Sequence, residues 1–294
     1  MEKVSLDTLN AADRKAFNAA LGEVIELAPW VADEACAARP FASVAALYAA
    51  MTDAVRKAPD AKVRALIEGH PDLAGKAARE GKLTADSTAE QAAAGLDRLS
   101  EAEFTAFHRL NDAYRKKFAM PFIVCVRRHG KESILREFER RLQNDASAER
   151  ATALGEVLRI AALRLDARVS GPDRLKVHGH LSTHVLDTHG GRPAQGLAIE
   201  LCEIGTSGAR TLLRTVTNAD GRTEKPLLTG GPIPIATYEL RFSVGAYFTG
   251  QQAPAADPPF LDIVPVRFSV AEPEGKYHVP LLVTPWSYST YRGS

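Results

Sequence analysis

The period of the hydrophobic residues changes once along this chain, near residue 169, and that change decides what the chain can fold into. Before it, apolar residues recur at helical spacing, and after it short alternating runs are separated by turn residues. Helices bury a stripe that repeats every three to four residues, whereas strands bury every second residue. With 294 residues, the chain is also longer than one ordinary domain requires. We therefore expect an all-α domain over 1–168, a linker over 169–175 and an all-β domain over 176–294.

The N-terminal part is rich in Ala, poor in Gly and amphipathic over several stretches. Phe17, Leu21, Val24 and Ile25 are predicted to lie in one helix, and Ser100-Glu101-Ala102-Glu103 has the pattern of a capping box at a helix start. The further helices that we predict are 44–57, 62–69, 88–99, 101–118, 131–143 and 148–165. These helices make the N-terminal part an all-α domain.

The C-terminal part contains short runs rich in Val, Leu, Thr and Tyr, separated by Gly, Pro, Asn and Asp. The predicted strands are 176–187, 196–204, 212–217, 238–243, 264–270 and 276–283. About six or more short strands in a region of this length are typical of a β-sandwich.

The charge balance points to no polyanionic partner. Lys and Arg total 37 and Asp and Glu total 36, which gives a net charge of +1. No run approaches the roughly 18 apolar residues of a membrane span, and the N-terminus lacks the apolar core of a signal peptide. Cys36, Cys125 and Cys202 are too widely spaced for a disulfide framework or a CxxC metal pair. We predict a cytoplasmic protein with free thiols that binds neither nucleic acid nor membrane.

Histidines cluster at the start of the β part. Alternation along a strand would place His178, His180, Ser182 and His184 on one face. Three imidazoles on one face could bind zinc. Alternatively, the first two histidines are exposed residues that lead into the strand. Because no nearby carboxylate or cysteine completes a ligand set, we predict no metal.

Three motifs of the β part resemble those of 5-hydroxyisourate hydrolases, the transthyretin-like enzymes of urate breakdown. They are Leu-Ser-Thr-His-Val-Leu-Asp-Thr at 181–188, Thr-Asn-Ala-Asp-Gly-Arg at 217–222, and the stretch 277–294, which finishes in Tyr-Arg-Gly-Ser. The resemblance implies a transthyretin-like sandwich that hydrolyses a cyclic amide. It implies the catalytic residues His184, Arg222 and His278, and a site closed by Tyr291, Arg292, Gly293 and Ser294.

The residue types suit this chemistry. Histidine transfers protons near neutral pH, because its ordinary pKa is about 6.5. Arginine stays charged and offers a planar array of donors to carbonyl groups and to an oxyanion. Either His184 or His278 could be the group that activates water, and both assignments stay open.

Two features of the helical part could belong to a site or only to helix ends. His70-Pro71 follows a helix end, where proline prevents the helix from continuing. Ser87 has the type of an N-cap residue, and Glu90 three residues later could complete a capping box.

Together with Pro-Phe-Ile-Val-Cys at 121–125, these features resemble 2-oxo-4-hydroxy-4-carboxy-5-ureidoimidazoline (OHCU) decarboxylases. The resemblance implies that His70 and Glu90 are the catalytic pair, with His70 delivering a proton. The implied substrate-binding residues are Pro71, Ser87, Thr88, Ala89, Gln91, Phe122, Ile123, Val124, Cys125 and Val126. Arg164 is the candidate for the substrate carboxylate, and Arg127 or Arg128 could take that role instead.

A chain that carries both motif sets resembles the bifunctional allantoin synthases. The resemblance implies an enzyme without cofactor that converts 5-hydroxyisourate to OHCU and OHCU to (S)-allantoin, downstream of urate oxidase. It also implies a homo-oligomer, tetrameric through the β domain and with dimer contacts through the α domain. Two alternatives remain, a transthyretin-like small-molecule binding module with a helical interaction domain, and a chain in which only one half is active. A carrier would not need His184, Arg222 and His278.

Overall fold

The computed structural model describes residues 3–74, 84–251 and 257–293. Its contacts divide the chain into two compact units, Met1–Arg127 with Ser133–Val177, and Arg128–Glu132 with His178–Ser294. The first unit is helical and the second is rich in strands, which confirms the predicted fold class. The residue limits that we predicted for the linker stay a prediction.

Nine α-helices lie between residues 6 and 168 in the part of the chain that the structure describes. They are α1 (Leu6–Ala11), α2 (Arg14–Leu21), α3 (Pro29–Ala35), α4 (Val44–Lys57), α5 (Asp60–Glu68), α6 (Ala85–Ala93), α7 (Glu101–Phe118), α8 (Lys131–Arg141) and α9 (Ala146–Arg168). No helix of the described residues is long and apolar enough to cross a membrane.

Two helices match the prediction residue for residue, because their end signals are local. The side chain of Ser43 accepts a hydrogen bond from the amide of Ala46 at the start of α4. Ser100 and Glu103 form the capping box at the start of α7, with both of its hydrogen bonds present.

Two other helix predictions were wrong at their ends. The helix predicted through Val24 and Ile25 ends at Leu21, and both residues are buried in the turn that follows. The helix predicted from residue 88 begins at Ala85, because Thr84 is its N-cap and accepts a hydrogen bond from the amide of Ser87. Ser87 therefore lies inside the first turn, and its hydroxyl is free for tertiary contacts.

The helices bury one apolar core. Phe17, Leu47, Phe107, Phe138 and Leu165 come from five different helices and are completely buried. Burying a side chain of this size stabilises the fold by about 1.5–3 kcal/mol. A short parallel pair, β1 (Val4–Ser5) with β2 (Val169–Ser170), joins the two ends of the helical unit.

The β unit contains two four-stranded sheets and a separate strand pair. Its strands are β3 (His180–Ser182), β4 (Val185–Asp187), β5 (Arg192–Pro193), β6 (Ala198–Gly205), β7 (Gly208–Val216), β8 (Ala236–Ser243), β9 (Ile263–Val270), β10 (Lys276–His278), β11 (Leu281–Val283) and β12 (Tyr288–Thr290). The sheet orders are β7-β6-β8-β9 and β12-β11-β4-β5, and β3 pairs with β10. The strands β4 and β11 are parallel, as are β3 and β10.

The strands predicted at 176–187 and 276–283 were each wrong as continuous elements. The first divides into β3 and β4 around Thr183 and His184, and the second into β10 and β11 around Val279 and Pro280. The two breaks face each other, since the hydroxyl of Thr183 donates to the carbonyl oxygen of Val279 at 2.7 Å. Proline at 280 has no amide for a ladder, which accounts for the interruption. The alternation of buried and partly exposed residues continues through the first break.

The sequence also did not predict the helix of the β unit, α10 (Val244–Gly250). Tyr247 on this helix donates to the buried carboxylate of Asp187 at 3.1 Å. A seven-residue helix offers too short a repeat to recognise by periodicity.

Candidate active sites

His70 lines a cleft in the helical unit. It follows the C-terminal end of α5, and its Nδ1 lies 2.7 Å from the carbonyl oxygen of Leu66. Because a carbonyl only accepts hydrogen bonds, Nδ1 carries a proton and Nε2 is the ring nitrogen left to the cleft. Burial lowers the pKa of His70, although the contact with Leu66 and the charge of Glu26 oppose that effect. At neutral pH the ring is therefore uncharged, with a lone pair on Nε2.

Arg164 on α9 is held by two glutamates within the same cleft. Its Nε lies 3.0 Å from Oε1 of Glu90, and its Nη2 lies 2.8 Å from Oε2 of Glu90. The same Nη2 lies 3.3 Å from Oε2 of Glu26 and 3.2 Å from Oγ of Ser87. The cluster joins α6, α9 and the turn after α2. Glu90 therefore faces Arg164 and does not form the capping box that the sequence allowed.

The irregular segment Pro121–Cys125 forms one wall of the cleft. Buried charges hold its backbone, since Nη1 of Arg141 donates to the carbonyl oxygen of Ile123 at 2.7 Å and the amide of Cys125 donates to Glu156 at 2.8 Å. Arg141 also pairs with the buried carboxylate of Glu149. A segment outside helices and sheets needs such partners for its polar groups.

The structure brings most of the predicted decarboxylase residues together. The cleft is lined by Glu26, His70, Pro71, Leu73, Ser87, Glu90, Gln91, Phe122, Ile123, Val124, Val126, Ile160 and Arg164. Thr88 and Ala89 are exposed on α6, and Cys125 is buried behind the wall. Of the alternative arginines, Arg128 makes a two-point ion pair with Glu274, and Arg127 is not among the residues that line the cleft.

Glu26 is the charged residue of the cleft that the sequence analysis missed. It follows buried Val24 and Ile25, so the stretch looks like the continuation of an amphipathic helix. Its only local signal is a carboxylate placed directly after two buried apolar residues.

In the β unit, a tight turn places Arg222 beside His184. The side chain of Asn218 accepts hydrogen bonds from the amides of Asp220 and Arg222, at 3.0 and 3.1 Å. Gly221 has a φ of +71°, and a Cβ there would lie 2.3 Å from the carbonyl oxygen of Val185. Glycine is therefore required at residue 221. Because it has no side chain, the backbone of Arg222 can pair with that of His184 in an isolated β-bridge.

His278 ends β10 opposite the same site. Its Nδ1 lies 3.0 Å from the hydroxyl oxygen of Ser182, on the neighbouring strand. Gly293 pairs with His278 on the other side, where its amide donates to the carbonyl oxygen of His278 at 2.8 Å. Arg292 lies over the ring of Tyr277, at 4.9 Å.

Both histidines have a pKa below the ordinary value. For His184, burial is the main cause and the charge of Arg222 adds to it, against a hydrogen bond to the backbone of Asp220. For His278, burial again acts first, followed by the charges of Arg222, His184 and His180. Neutral imidazoles beside a fixed cation can accept protons at neutral pH while the cation stabilises an oxyanion.

The other predicted residues of this site lie at its margin. Tyr291 and Arg292 are exposed, and Ser294 lies outside the described residues. In the described ranges, no group of three or more His, Cys, Asp or Glu side chains could hold a metal ion. The histidine run at 178–184 is thus not arranged as a zinc site there.

Comparison with known proteins gives two family matches, one for each cluster of side chains. Residues 10–166 match the model described as OHCU decarboxylase, and residues 181–293 match the HIUase/Transthyretin family. The first range contains the cleft of His70, Glu90 and Arg164, and the second contains His184, Arg222 and His278.

Each region of this chain matches individual relatives over almost the full length of those relatives. A 5-hydroxyisourate hydrolase of Deinococcus radiodurans is 54% identical over 117 residues, which are 40% of this chain and 98% of that protein. A 2-oxo-4-hydroxy-4-carboxy-5-ureidoimidazoline decarboxylase of Haloferax volcanii is 41% identical over 170 residues, which are 58% of this chain and 99% of that protein. The crystal structure of an (S)-allantoin synthase is 34% identical with a TM-score of 0.51, and the match covers 99% of this chain and 100% of that one.

Proposed function

The chain belongs to the OHCU decarboxylase family over residues 10–166 and to the HIUase/Transthyretin family over residues 181–293, and we propose that it performs two consecutive steps of urate degradation. The C-terminal domain hydrolyses 5-hydroxyisourate to OHCU, and the N-terminal domain decarboxylates OHCU to (S)-allantoin. One observation carries this proposal: each of the two matched regions contains its own histidine and arginine cluster. His70 and Arg164 lie in the first region, and His184, His278 and Arg222 lie in the second.

In the hydrolase domain, we assign water activation to His184. Burial and the charge of Arg222 lower the pKa of His184, so its ring is uncharged at neutral pH and keeps one nitrogen with a lone pair. Arg222 stabilises the tetrahedral oxyanion that forms when water attacks the cyclic amide. Protonated His184 then gives the proton taken from water to the leaving nitrogen as the C–N bond breaks, while neutral His278, held by Ser182, accepts a hydrogen bond from the substrate. Tyr291, Arg292 and Gly293 close the site over the substrate.

In the decarboxylase domain, the substrate ring holds the negative charge left by CO2. The carbon that loses CO2 also carries a hydroxyl group and is bonded to the ring carbon that bears the ureido group. The charge is therefore delocalised towards the ring nitrogen, and no organic cofactor is required. The hydroxyl group becomes a carbonyl group as one proton leaves its oxygen and another is added to the neighbouring carbon, and the negatively charged ring nitrogen takes up one proton from water.

His70 suits this proton transfer because it is neutral and offers the lone pair of Nε2. We propose that His70 takes the hydroxyl proton and returns it to one face of the ring, which produces a single enantiomer. Glu90 binds the substrate hydroxyl or orients His70, and Arg164 contacts the substrate carboxylate. Pro71, Gln91 and the wall residues Phe122, Ile123, Val124 and Val126 bind the ring.

We also propose a homo-oligomer, tetrameric through the β domain and with dimer contacts through the α domain. Exposed aromatic side chains of the β domain support the tetramer contact. Trp286, Tyr288 and Tyr291 are about half exposed in the isolated chain. The edge strands β9 and β12 offer unpaired backbone groups for further pairing. The cytoplasm is the compartment that we propose, because all three cysteines are buried thiols that form no disulfide.

A coupled assay tests both activities in one experiment. Urate, urate oxidase and this protein are mixed, and absorbance and circular dichroism are followed. Rapid loss of both intermediates with accumulation of (S)-allantoin is the expected result. Persistence of OHCU and its decay to racemic allantoin would show that only the hydrolase is active. Decay of both intermediates at their rates in buffer would favour a binding module instead.

A further inference from the structure

Glu26 is a buried carboxylate at the edge of the decarboxylase cleft, in the turn between α2 and α3. Its side chain is 10% exposed. Its Oε2 accepts a hydrogen bond from the hydroxyl of Ser87 at 2.6 Å, and its Oε1 accepts one from the hydroxyl of Thr84 at 2.9 Å. Burial raises the pKa of a carboxyl group, yet these two hydrogen bonds and the charge of Arg164 outweigh it and leave the pKa of Glu26 below its usual value. Glu26 is therefore ionised.

The direction of the hydrogen bonds at Ser87 follows from its neighbours. An ionised Glu26 can only accept, and the guanidinium of Arg164 can only donate. The single proton of the Ser87 hydroxyl must therefore point to Glu26, and its oxygen must accept from Nη2 of Arg164 at 3.2 Å. With its proton committed in this way, Ser87 has none to donate to a substrate.

Glu26 also fixes one side of Arg164. Nη2 of Arg164 contacts both Glu26 and Glu90. Its Nε contacts Glu90 at 3.0 Å and lies 3.9 Å from Asp86. Asp86 also pairs with Arg168, so the three carboxylates and two guanidinium groups of this cluster have a formal charge of −1. Such buried charges are stable only when each has its partners, so removal of one partner reorients the others.

We propose that Glu26 is a positioning residue for the decarboxylation, which holds the Ser87 hydroxyl and the Arg164 guanidinium and, through Arg164, the carboxylate of Glu90. This inference rests on the decarboxylase activity proposed above. Ser87 acts in it as a relay between Glu26 and Arg164. Without Glu26, the Ser87 proton becomes free to turn to Glu90, and Arg164 is held from one side only.

The test compares Glu26→Gln with Glu23→Gln in the full chain. Glu23 lies in the same turn but its side chain is 89% exposed, and it is only 3.9 Å from Arg168, so it serves as a matched control. OHCU is generated in the cuvette from urate by urate oxidase and the hydrolase domain, and kcat and KM for its decarboxylation are measured. Wild-type protein is assayed first, because absence of decarboxylation there would overturn the proposed function and this inference with it.

We expect Glu26→Gln to lower kcat by about 10- to 100-fold, because small displacements of catalytic groups have effects of this size. KM should change less than kcat, because removal of a negative charge from a cleft that takes an anionic substrate offsets the weaker hold on Arg164. Hydrolase activity should be unchanged, and Glu23→Gln should match the wild type in both reactions. In the double variant Glu26→Gln/Ser87→Ala, the second change should add less than twofold to the loss, because Ser87 acts through Glu26.

The pH dependence gives a second readout that a general loss of stability would not produce. His70 shares the cleft with Glu26 from the turn, Glu90 from α6 and Arg164 from α9. Burial lowers the pKa of His70 and the charge of Glu26 opposes this. In Glu26→Gln, the acid limb of kcat/KM should therefore move to lower pH.

Three results would overturn the inference. They are a wild-type kcat in Glu26→Gln, an increase of KM with kcat unchanged, and a loss of kcat accompanied by an unchanged acid limb and a lower melting temperature of the helical unit.

Discussion

Gly293 lies against His278 at a distance that leaves no room for a side chain. A Cβ on Gly293 would lie 2.7 Å from Cδ2 of His278 and 3.1 Å from its Cβ. The amide of Gly293 donates to the carbonyl oxygen of His278 at 2.8 Å, so the two residues are also joined through their backbones. The tail therefore fixes the position of a proposed catalytic histidine, and a methyl group at residue 293 would have to displace one of the two.

We therefore expect Gly293→Ala to reduce kcat/KM for 5-hydroxyisourate by about 10- to 100-fold, through misplacement of His278. Gly250→Ala is the control, because no atom of the described residues lies within 4 Å of a Cβ at that position of the same domain. Both variants are assayed by the decay of hydroxyisourate absorbance. Equal activity of Gly293→Ala and the wild type would contradict the role of the tail.

Arg222 should control the pH dependence of hydrolysis as well as its rate. Its charge lowers the pKa of both His184 and His278, after the larger effect of burial. Because the neutral forms are required, activity is lost as pH falls through these pKa values. In Arg222→Gln the acid limb of kcat/KM should move to higher pH, and kcat should fall about 100- to 1000-fold with the loss of the oxyanion partner.

Arg210→Gln is the control for this experiment, since Arg210 is exposed on β7 and pairs with Glu203. It should leave both the rate and the pH profile of hydrolysis unchanged. An unshifted acid limb in Arg222→Gln would refute the proposed electrostatic link.

His70→Ala should separate the two activities of the chain. The variant lacks the proton carrier of the decarboxylase cleft, so stereospecific conversion of OHCU should fall by at least about 100-fold, the range of general acid–base catalysis. Hydrolysis of 5-hydroxyisourate by the same sample should be unchanged and serves as the internal control. The measurement is the circular dichroism of the accumulating allantoin, and loss of both activities would indicate misfolding instead.

Arg141 should be a large contributor to the stability of the helical unit. It is buried with Glu149, and Arg141→Met would leave that carboxylate without its charge partner. Breaking a buried pair in this way costs about 3–5 kcal/mol. The neighbouring change Arg140→Met removes an exposed pair with Glu137 and should cost less than about 1 kcal/mol.

Urea unfolding followed by circular dichroism at a helical wavelength gives both values. A free energy of unfolding that falls equally in the two variants would contradict the role of burial. Because Arg141 also holds the carbonyl of Ile123, decarboxylation should weaken in Arg141→Met even below the unfolding transition.

The sequence predicted those elements whose signals are local. α4 and α7 begin at serine caps, and their bounds were predicted without error. Ser87 shows the limit of such signals, because Thr84 and Ser87 are both good caps and only the first is used. The hydroxyl of Ser87 instead meets Glu26, which is 61 residues away. A contact of that range leaves no trace in a local pattern.

The same reason explains which site residues were found. The family motifs named His70, Glu90, His184, Arg222 and His278, and the structure places them in two separate clusters. Glu26 belongs to none of the motifs, and its neighbours look like part of a helix. Tertiary packing alone gives this residue its partners.

The parallel pairing of β3 with β10 and of β4 with β11 affects how the hydrolase site forms during folding. Hairpins such as β6 with β7 close short loops, whereas Thr183 and Val279 meet across 96 residues. Contacts of such sequence separation are slow to form. His184 and His278 therefore come together only when β3 and β4 have paired with β10 and β11. In a refolding experiment, hydrolase activity should recover later than the circular dichroism signal of the strands. The return of activity therefore marks the moment at which the parallel strand pairs have formed.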